Sequence, residues 1–396
     1  MMRLALAVAL WLALGLSGLA QSPDLASLQQ AAEAGQAEAQ YQLAERYRNG
    51  TGVLQNYARA AEWYAAAADQ GDARAQNSLG ALYISGLGVA ADPERGLALL
   101  RQAAVKGAPK HLHDLASALQ SGIGTAPDAA AAAQLYQQAS DLGWVESTVS
   151  LGVLYQDGIG VERDIAKAIE LYTEPAEAGH ARAQNNLGLI YVRGEGVLQD
   201  YALAVDWFTK AAAQGLPVAL TNLGVMYENG FGVEQDEEEA TRLYRLAGQG
   251  SADGSDAAPT LIFDARLQLP DPALTETYLT AARAGDPVAQ FLLGYLLASQ
   301  ATANSDYRSA AQLFRAAADK GLPAAMANLG VLTFEGKGVL QDFVEGYGWL
   351  TLAASGGSPG AIDLRDRLGE RMTPEQINAA NALAETRWAE IGGTEN

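Results

Sequence analysis

Residues 179–215 read Gly179-His-Ala-Arg-Ala-Gln-Asn-Asn-Leu187-Gly188-Leu-Ile-Tyr191-Val-Arg-Gly194-Glu-Gly196-Val197-Leu-Gln-Asp200-Tyr-Ala-Leu-Ala204-Val-Asp-Trp207-Phe208-Thr-Lys-Ala-Ala-Ala-Gln-Gly215. The two flanking glycines belong to a series with a 36-residue period: Gly35, Gly71, Gly107, Gly143, Gly179 and Gly215, then Gly285, Gly321 and Gly357 after an interruption. A fixed period of this length marks a solenoid of stacked supersecondary units. Such proteins work through an extended surface rather than a small catalytic pocket.

Counting from each marker glycine as zero, position eight is leucine throughout: Leu43, Leu79, Leu115, Leu151, Leu187, Leu223, Leu293 and Leu329. Position nine is Gly or Ala, and position twelve is mostly Tyr (Tyr47, Tyr83, Tyr155, Tyr191, Tyr227). Positions four, eight and twelve share one helical face, so the first half of each unit is an amphipathic helix A. It stops at a G-x-G-V loop, as at Gly158–Val161, Gly230–Val233 and Gly336–Val339. The first glycine suits a left-handed helix end, and the valine is expected to tuck between helices. An acid or amide then caps a second helix B: Asn56, Asp92, Asp128, Asp164, Asp200, Asp236, Asp306 and Asp342. Helix B carries small residues at position 25 (Ala60, Ala168, Ala204) and a bulky pair at 28 and 29, such as Trp63-Tyr64, Trp207-Phe208 and Trp349-Leu350.

The L-G-x-x-Y step resembles tetratricopeptide repeats, but the unit is longer and closes on glycine instead of proline. The full pattern, with A-x-A-Q-x-N-L-G before the loop and A-x-x-W-Y-x-x-A-A-x-x-G after it, resembles the Sel-one-like repeat (SLR) family over roughly residues 35–357. The segment Met372-Thr-Pro-Glu-Gln376 resembles the way many such chains close. The resemblance implies an all-α fold, an α/α solenoid (right-handed superhelix) of about nine helix-loop-helix repeats with end caps. It implies a scaffold for protein complexes, in bacteria often placed in the envelope and acting in signalling, secretion or exopolysaccharide production. The family has no common catalytic residues, so the resemblance implies no enzyme, no catalytic residue and no cofactor.

The expected organisation is a signal peptide at 1–20, an N-terminal half-repeat cap at 21–34 and six repeats over 35–249. A degenerate repeat or insert over 250–284, two repeats over 285–356 and capping helices with a tail over 357–396 complete it. Arg3, the apolar run Leu4–Leu16 and the small residues Ser17–Ala20 read as a secretory signal cleaved after Ala20. The expected location is therefore periplasmic or secreted, without membrane insertion after cleavage. There is no cysteine, which excludes disulfides, thiolate metal sites and a lipid-anchoring cysteine. Some exported SLR proteins staple each unit with cysteines, and β-lactam binding or hydrolysis is attributed to that branch; this chain departs from it. In the interruption, Gly250–Pro259 reads as a loop, while Asp271–Ala284, with Tyr278, reads as a capped helix B of a remodelled unit; the alternative is a hinge between two sub-solenoids. Thr373 is expected to cap a last helix over 374–391, with Gln376 completing a capping box.

The net charge is −20, which disfavours nucleic acid and anionic membrane and suits a basic protein partner or simply solubility. His111, His113 and His180 are the only histidines, and their spacing suits no metal site. The acidic run Glu237–Glu239 complements a helix dipole behind Asp236. Helix A of related superhelices lines the concave side, so positions 3, 6, 10 and 13 are expected there. The early units are polar (Glu38, Glu45, Arg74, Asn77, His113), whereas Val149, Val153, Leu189, Val225, Phe291, Tyr295 and Val331 form an apolar strip. The candidate partner-binding residues are Arg182, Asn185, Leu189, Thr221, Val225, Phe291, Tyr295 and Val331. Arg182 with Asn186 resembles a tetratricopeptide carboxylate clamp, but Asn recurs at position seven (Asn222, Asn328), which favours a structural role. On this reading Leu187→Ala damages the core while Phe291→Ala mainly weakens partner binding. The reading is a protein-binding scaffold or regulatory adaptor. The alternatives are a glycan or peptidoglycan-fragment binder and, third, a β-lactam-hydrolysing repeat protein.

Overall fold

A computed structural model describes residues 23–249 and 261–391. Residues 1–22, with the expected signal segment, residues 250–260, with the expected loop, and the last five residues lie outside the described residues. Among the described residues twenty α-helices follow one another: α1 (Pro23–Glu33), α2 (Ala37–Asn49), α3 (Tyr57–Asp69), α4 (Ala73–Ser85), α5 (Pro93–Ala104), α6 (Pro109–Ser121), α7 (Ala129–Asp141), α8 (Val145–Asp157), α9 (Ile165–Glu177) and α10 (Ala181–Arg193). Then come α11 (Tyr201–Ala212), α12 (Pro217–Asn229), α13 (Glu237–Gln249), α14 (Thr275–Arg283), α15 (Pro287–Ser299), α16 (Asn304–Ala318), α17 (Pro323–Glu335), α18 (Phe343–Ser355), α19 (Ala361–Gly369) and α20 (Pro374–Glu390). No strand occurs among the described residues. The chain is an all-α solenoid of helix pairs.

The pattern of small and bulky positions has a direct steric cause. A Cβ on Gly188 would lie 2.5 Å from the Phe208 ring, and one on Gly224 would lie 2.6 Å from the Tyr244 ring. Position nine on helix A is thus the seat of the position-29 ring on helix B. These rings are the core: Tyr64, Tyr172, Phe208 and Phe314 are buried, as are Ala60, Ala168 and Ala204 beside them.

Successive repeats are tied by the second loop glycine. Gly232 (φ 72°) sits so close to the start of α11 that a Cβ would come within 2.4 Å of the Tyr201 backbone. Only glycine meets both the left-handed angle and the contact. Glutamine at position five adds a polar tie: Gln40, Gln184 and Gln290 donate to the carbonyls of Ala32, Ala176 and Ala282 at 2.9–3.1 Å. The residue before the next marker glycine reaches back to that glutamine, as Gln214 does to Gln184 at 2.9 Å.

The expected caps form at Asn56, Asp128, Asp164, Asp200, Asp236 and Asp342, each accepting a backbone N–H at 2.8–2.9 Å. Asp306 departs from this. Helix α16 begins at Asn304, and the Asp306 carboxylate reaches back from the first turn to the N–H groups of Thr302 and Ala303. The loss of G-x-G-V before it lets the helix start earlier. The Thr373–Gln376 capping box forms as expected.

The residues divide into two compact units. The second, Pro93–Asp256, contains α5–α13 stacked in chain order. The first unit joins α1–α4 to α14–α20. A linear solenoid has contacts only between neighbours; in this unit residues some 300 apart meet. Tyr347 Oη donates to Gln55 Oε1 (3.0 Å), and Gln55 donates to the carbonyl of Arg48 (2.9 Å). The Arg365 guanidinium, 1% exposed, donates to the Asn49 carbonyl at the end of α2. Asn378 of α20 donates to the Gly86 carbonyl and accepts from the Gly88 N–H, both at 2.8 Å. Leu54 is buried with residues of α15–α18.

Two stability measurements test these assignments. Leu187→Ala, in the core of the second unit, is expected to lower unfolding free energy by roughly 2–5 kcal/mol in urea titration. Tyr347→Phe strands the buried Gln55 oxygen and is expected to cost about 1–3 kcal/mol.

Candidate binding surface

In the second unit the outward positions of α10 and α12 form a mixed surface. Arg182 and Thr221 are exposed, Leu189 is half-buried, and Val225 is 39% exposed. Thr221 Oγ1 donates to the Pro217 carbonyl, so its hydroxyl is oriented along the helix. Val218, one turn before Thr221 and Asn222, is also exposed. Asn185 does not belong to this surface. It is buried, and its Oδ1 accepts from Asn222 Nδ2 at 2.9 Å, tying α12 to α10.

The first unit corrects the expected strip more strongly. Phe291 and Val331 have no exposed surface and Tyr295 is half-buried. Residues 261–271 form no helix A. They lie instead over the faces of α15 and α17. The Phe263 ring stands 6.0 Å from that of Phe291 and edge-on to Tyr295 at 5.0 Å. Ile262 packs against Val331, Leu350 and Leu364. Phe291→Ala therefore belongs with Leu187→Ala: it is expected to cost about 3–5 kcal/mol in urea titration, the price of a buried aromatic.

The covering segment is held by its backbone. Asn328 Oδ1 accepts from the Ile262 N–H at 2.7 Å, and its Nδ2 donates to the Ile262 carbonyl at 2.9 Å. Asn328 has no exposed surface. Asp264, 1% exposed, accepts from the Arg266 guanidinium, which also donates to the Gly357 carbonyl. Sequence reasoning missed this contact. Its trace was the apolar run Leu261-Ile-Phe263 where a loop leads into a remodelled unit. Further along, α14 is the expected helix B: Tyr278 and Ala282 are buried and it packs on α15.

The histidines have structural places. His180 caps α10, accepting the Ala183 N–H at 3.3 Å. His111 is buried on α6. His113 Nδ1 lies 2.8 Å from Ser147 Oγ, with the rings of Tyr136 and Trp144 beside it. Burial holds its pKa below the usual histidine value of 6.5, the nearby Asp114 and Glu146 charges opposing. A folded state that resists protonation binds fewer protons than the unfolded chain, so its stability is present above pH 6.5 and declines as pH falls through that value. His113→Gln is expected to flatten this decline in thermal midpoints measured between pH 7.5 and 5. Among the described residues no group of three or more His, Asp or Glu is placed to hold a metal ion, and no helix is long and apolar enough to cross a membrane.

The Sel1 repeat family model matches residues 37–72, 73–107, 112–144, 145–180, 181–216, 217–251, 287–322 and 323–358. Among solved structures, a protective antigen of uropathogenic Escherichia coli displaying an SLR fold is similar at 27% identity and a TM-score of 0.51, over 97% of this chain and 92% of that one. A Sel1 repeat protein from Oxalobacter formigenes is similar at 29% identity and a TM-score of 0.52, over 57% of this chain and 87% of that one. No curated protein matches the chain.

Proposed function

Since this chain belongs to the Sel1 repeat family, whose members are generally non-catalytic scaffolds for protein interaction, we propose that it is an exported scaffold or regulatory adaptor that binds a partner protein on its α10–α12 surface. The observation that carries the choice of surface is the contrast between repeats. The helix-A face of α17 is sealed by the chain's own segment, whereas Arg182, Thr221 and Val225 on α10 and α12 remain exposed. An apolar side chain rimmed by polar groups is the composition of a docking patch.

The charge of −20 favours a basic partner and faster association at low salt. Export is supported by the Arg3, Leu4–Leu16 and Ser17–Ala20 pattern. In a bacterial envelope, such an adaptor would serve signalling, secretion or exopolysaccharide regulation.

A photo-crosslinking residue placed at Val225, in cells fractionated into cytoplasm and envelope, tests the reading. One envelope protein joined through position 225, and lost from the crosslink at high salt, is the expected result. Crosslinks that form from the first unit but never from position 225, or a chain retained in the cytoplasm with its first 20 residues intact, overturn it.

A further inference from the structure

The first unit contains a worked example of what a helix-A face of this chain can hold. Asn328 takes both backbone groups of one residue, Ile262, through one carboxamide. A residue that offers its N–H and C=O to the same side is extended, as in an antiparallel ladder. Val331, three residues further along α17, receives the Ile262 side chain. Phe291 and Tyr295 on α15, the helix A of the preceding repeat, receive Phe263.

The same pair recurs at the same register on α12. Asn222 and Val225 stand seven and ten residues after Gly215, as Asn328 and Val331 stand after Gly321. Among the described residues no segment covers them as Ile262 covers Val331: Asn222 is half-buried and Val225 is 39% exposed. Asn222 is already oriented, because one Nδ2 hydrogen is engaged by Asn185 Oδ1. An amide has two N–H donors and an acceptor, so the second N–H and Oδ1 suffice for one extended residue. The positions that correspond to Phe291 and Tyr295 are Asn185 and Leu189 on α10.

We propose that α10 and α12 bind an extended segment of the partner protein, with Asn222 clamping the backbone of one residue as Asn328 clamps Ile262. This inference rests on the adaptor reading and specifies its mode. The clamped residue is aliphatic, to sit on Val225. The next residue faces Leu189 and the amide of Asn185 instead of two rings, so an aliphatic side chain suits it better than the aromatic one of the internal segment. Main-chain bonds supply affinity in this mode and alternate side-chain contacts supply selectivity.

The probe is the chain's own solution to the problem, the acetylated and amidated peptide LIFDARL (residues 261–267) carrying a fluorophore. It is titrated with the full mature chain and followed by fluorescence anisotropy. Saturable binding is expected, weakened about tenfold or more by Asn222→Ala, by Val225→Asp and by N-methylation of the peptide at its isoleucine, each step of ten corresponding to the loss of the clamp. Replacing the peptide's phenylalanine by leucine is expected to tighten binding. Asn222→Asp keeps the shape and the acceptor while removing the donors, and is expected to weaken binding as Asn222→Ala does. Three results overturn the proposal: no saturable binding, equal binding by Asn222→Ala, or binding lost in Asn328→Ala and retained in Asn222→Ala. The last places the peptide at the internal segment's own site. A crosslink from position 225 that survives Asn222→Ala leaves the adaptor reading standing and removes the backbone clamp alone.

Discussion

The repeating part of this fold depends on a bulky side chain of helix B placed against a small or missing side chain of helix A. In four repeats, Gly152, Gly188, Gly224 and Gly294 at position nine of helix A let the aromatic ring of position 29 on helix B come within 3 Å of where a Cβ would be. That approach sets the spacing of the helix pair and buries the ring almost completely, as for Tyr172 and Phe208. Burying an aromatic side chain is among the largest favourable contributions a core residue makes. Six of the eight repeats supply a ring at position 29 and the other two supply Leu100 and Leu350, so the solenoid has a core without cysteines to staple it.

Stacking the pairs needs a second close approach. The second loop glycine lets one repeat touch the start of the preceding helix B, and the glutamine at position five satisfies a carbonyl at the end of the helix before it. Both devices act between neighbours. They explain why α5–α13 pile up in chain order, and they say nothing about the contacts that unite the chain's two ends in the first unit.

Those contacts use unlike parts. Gln55, at a loop position where Gln199 and Gln235 merely close their own helix A, also takes the hydroxyl of Tyr347. Leu54 is buried, while its counterparts Leu198 and Leu340 are each 91% exposed. The same motif residue is a core residue or a surface residue according to what lies across from it. Helix-A faces differ in the same way: Val331 is sealed by Ile262 and Val225 is open.

The period, the two helices of each repeat, the loop glycines and nearly all the caps were legible in the sequence because each depends on residues within one unit or its neighbour. Asp306 was misplaced because its loop had lost the glycines that fix where helix B begins. The candidate surface was only half legible. Arg182, Thr221 and Val225 are exposed as their register suggests, but Phe291 and Val331 are buried by a segment without the repeat pattern. Periodicity says which way a side chain leaves its own helix. Only the tertiary structure decided what stands in front of it, because residues 261–264 and the pairing of Gln55 with Tyr347 belong to no repeating rule.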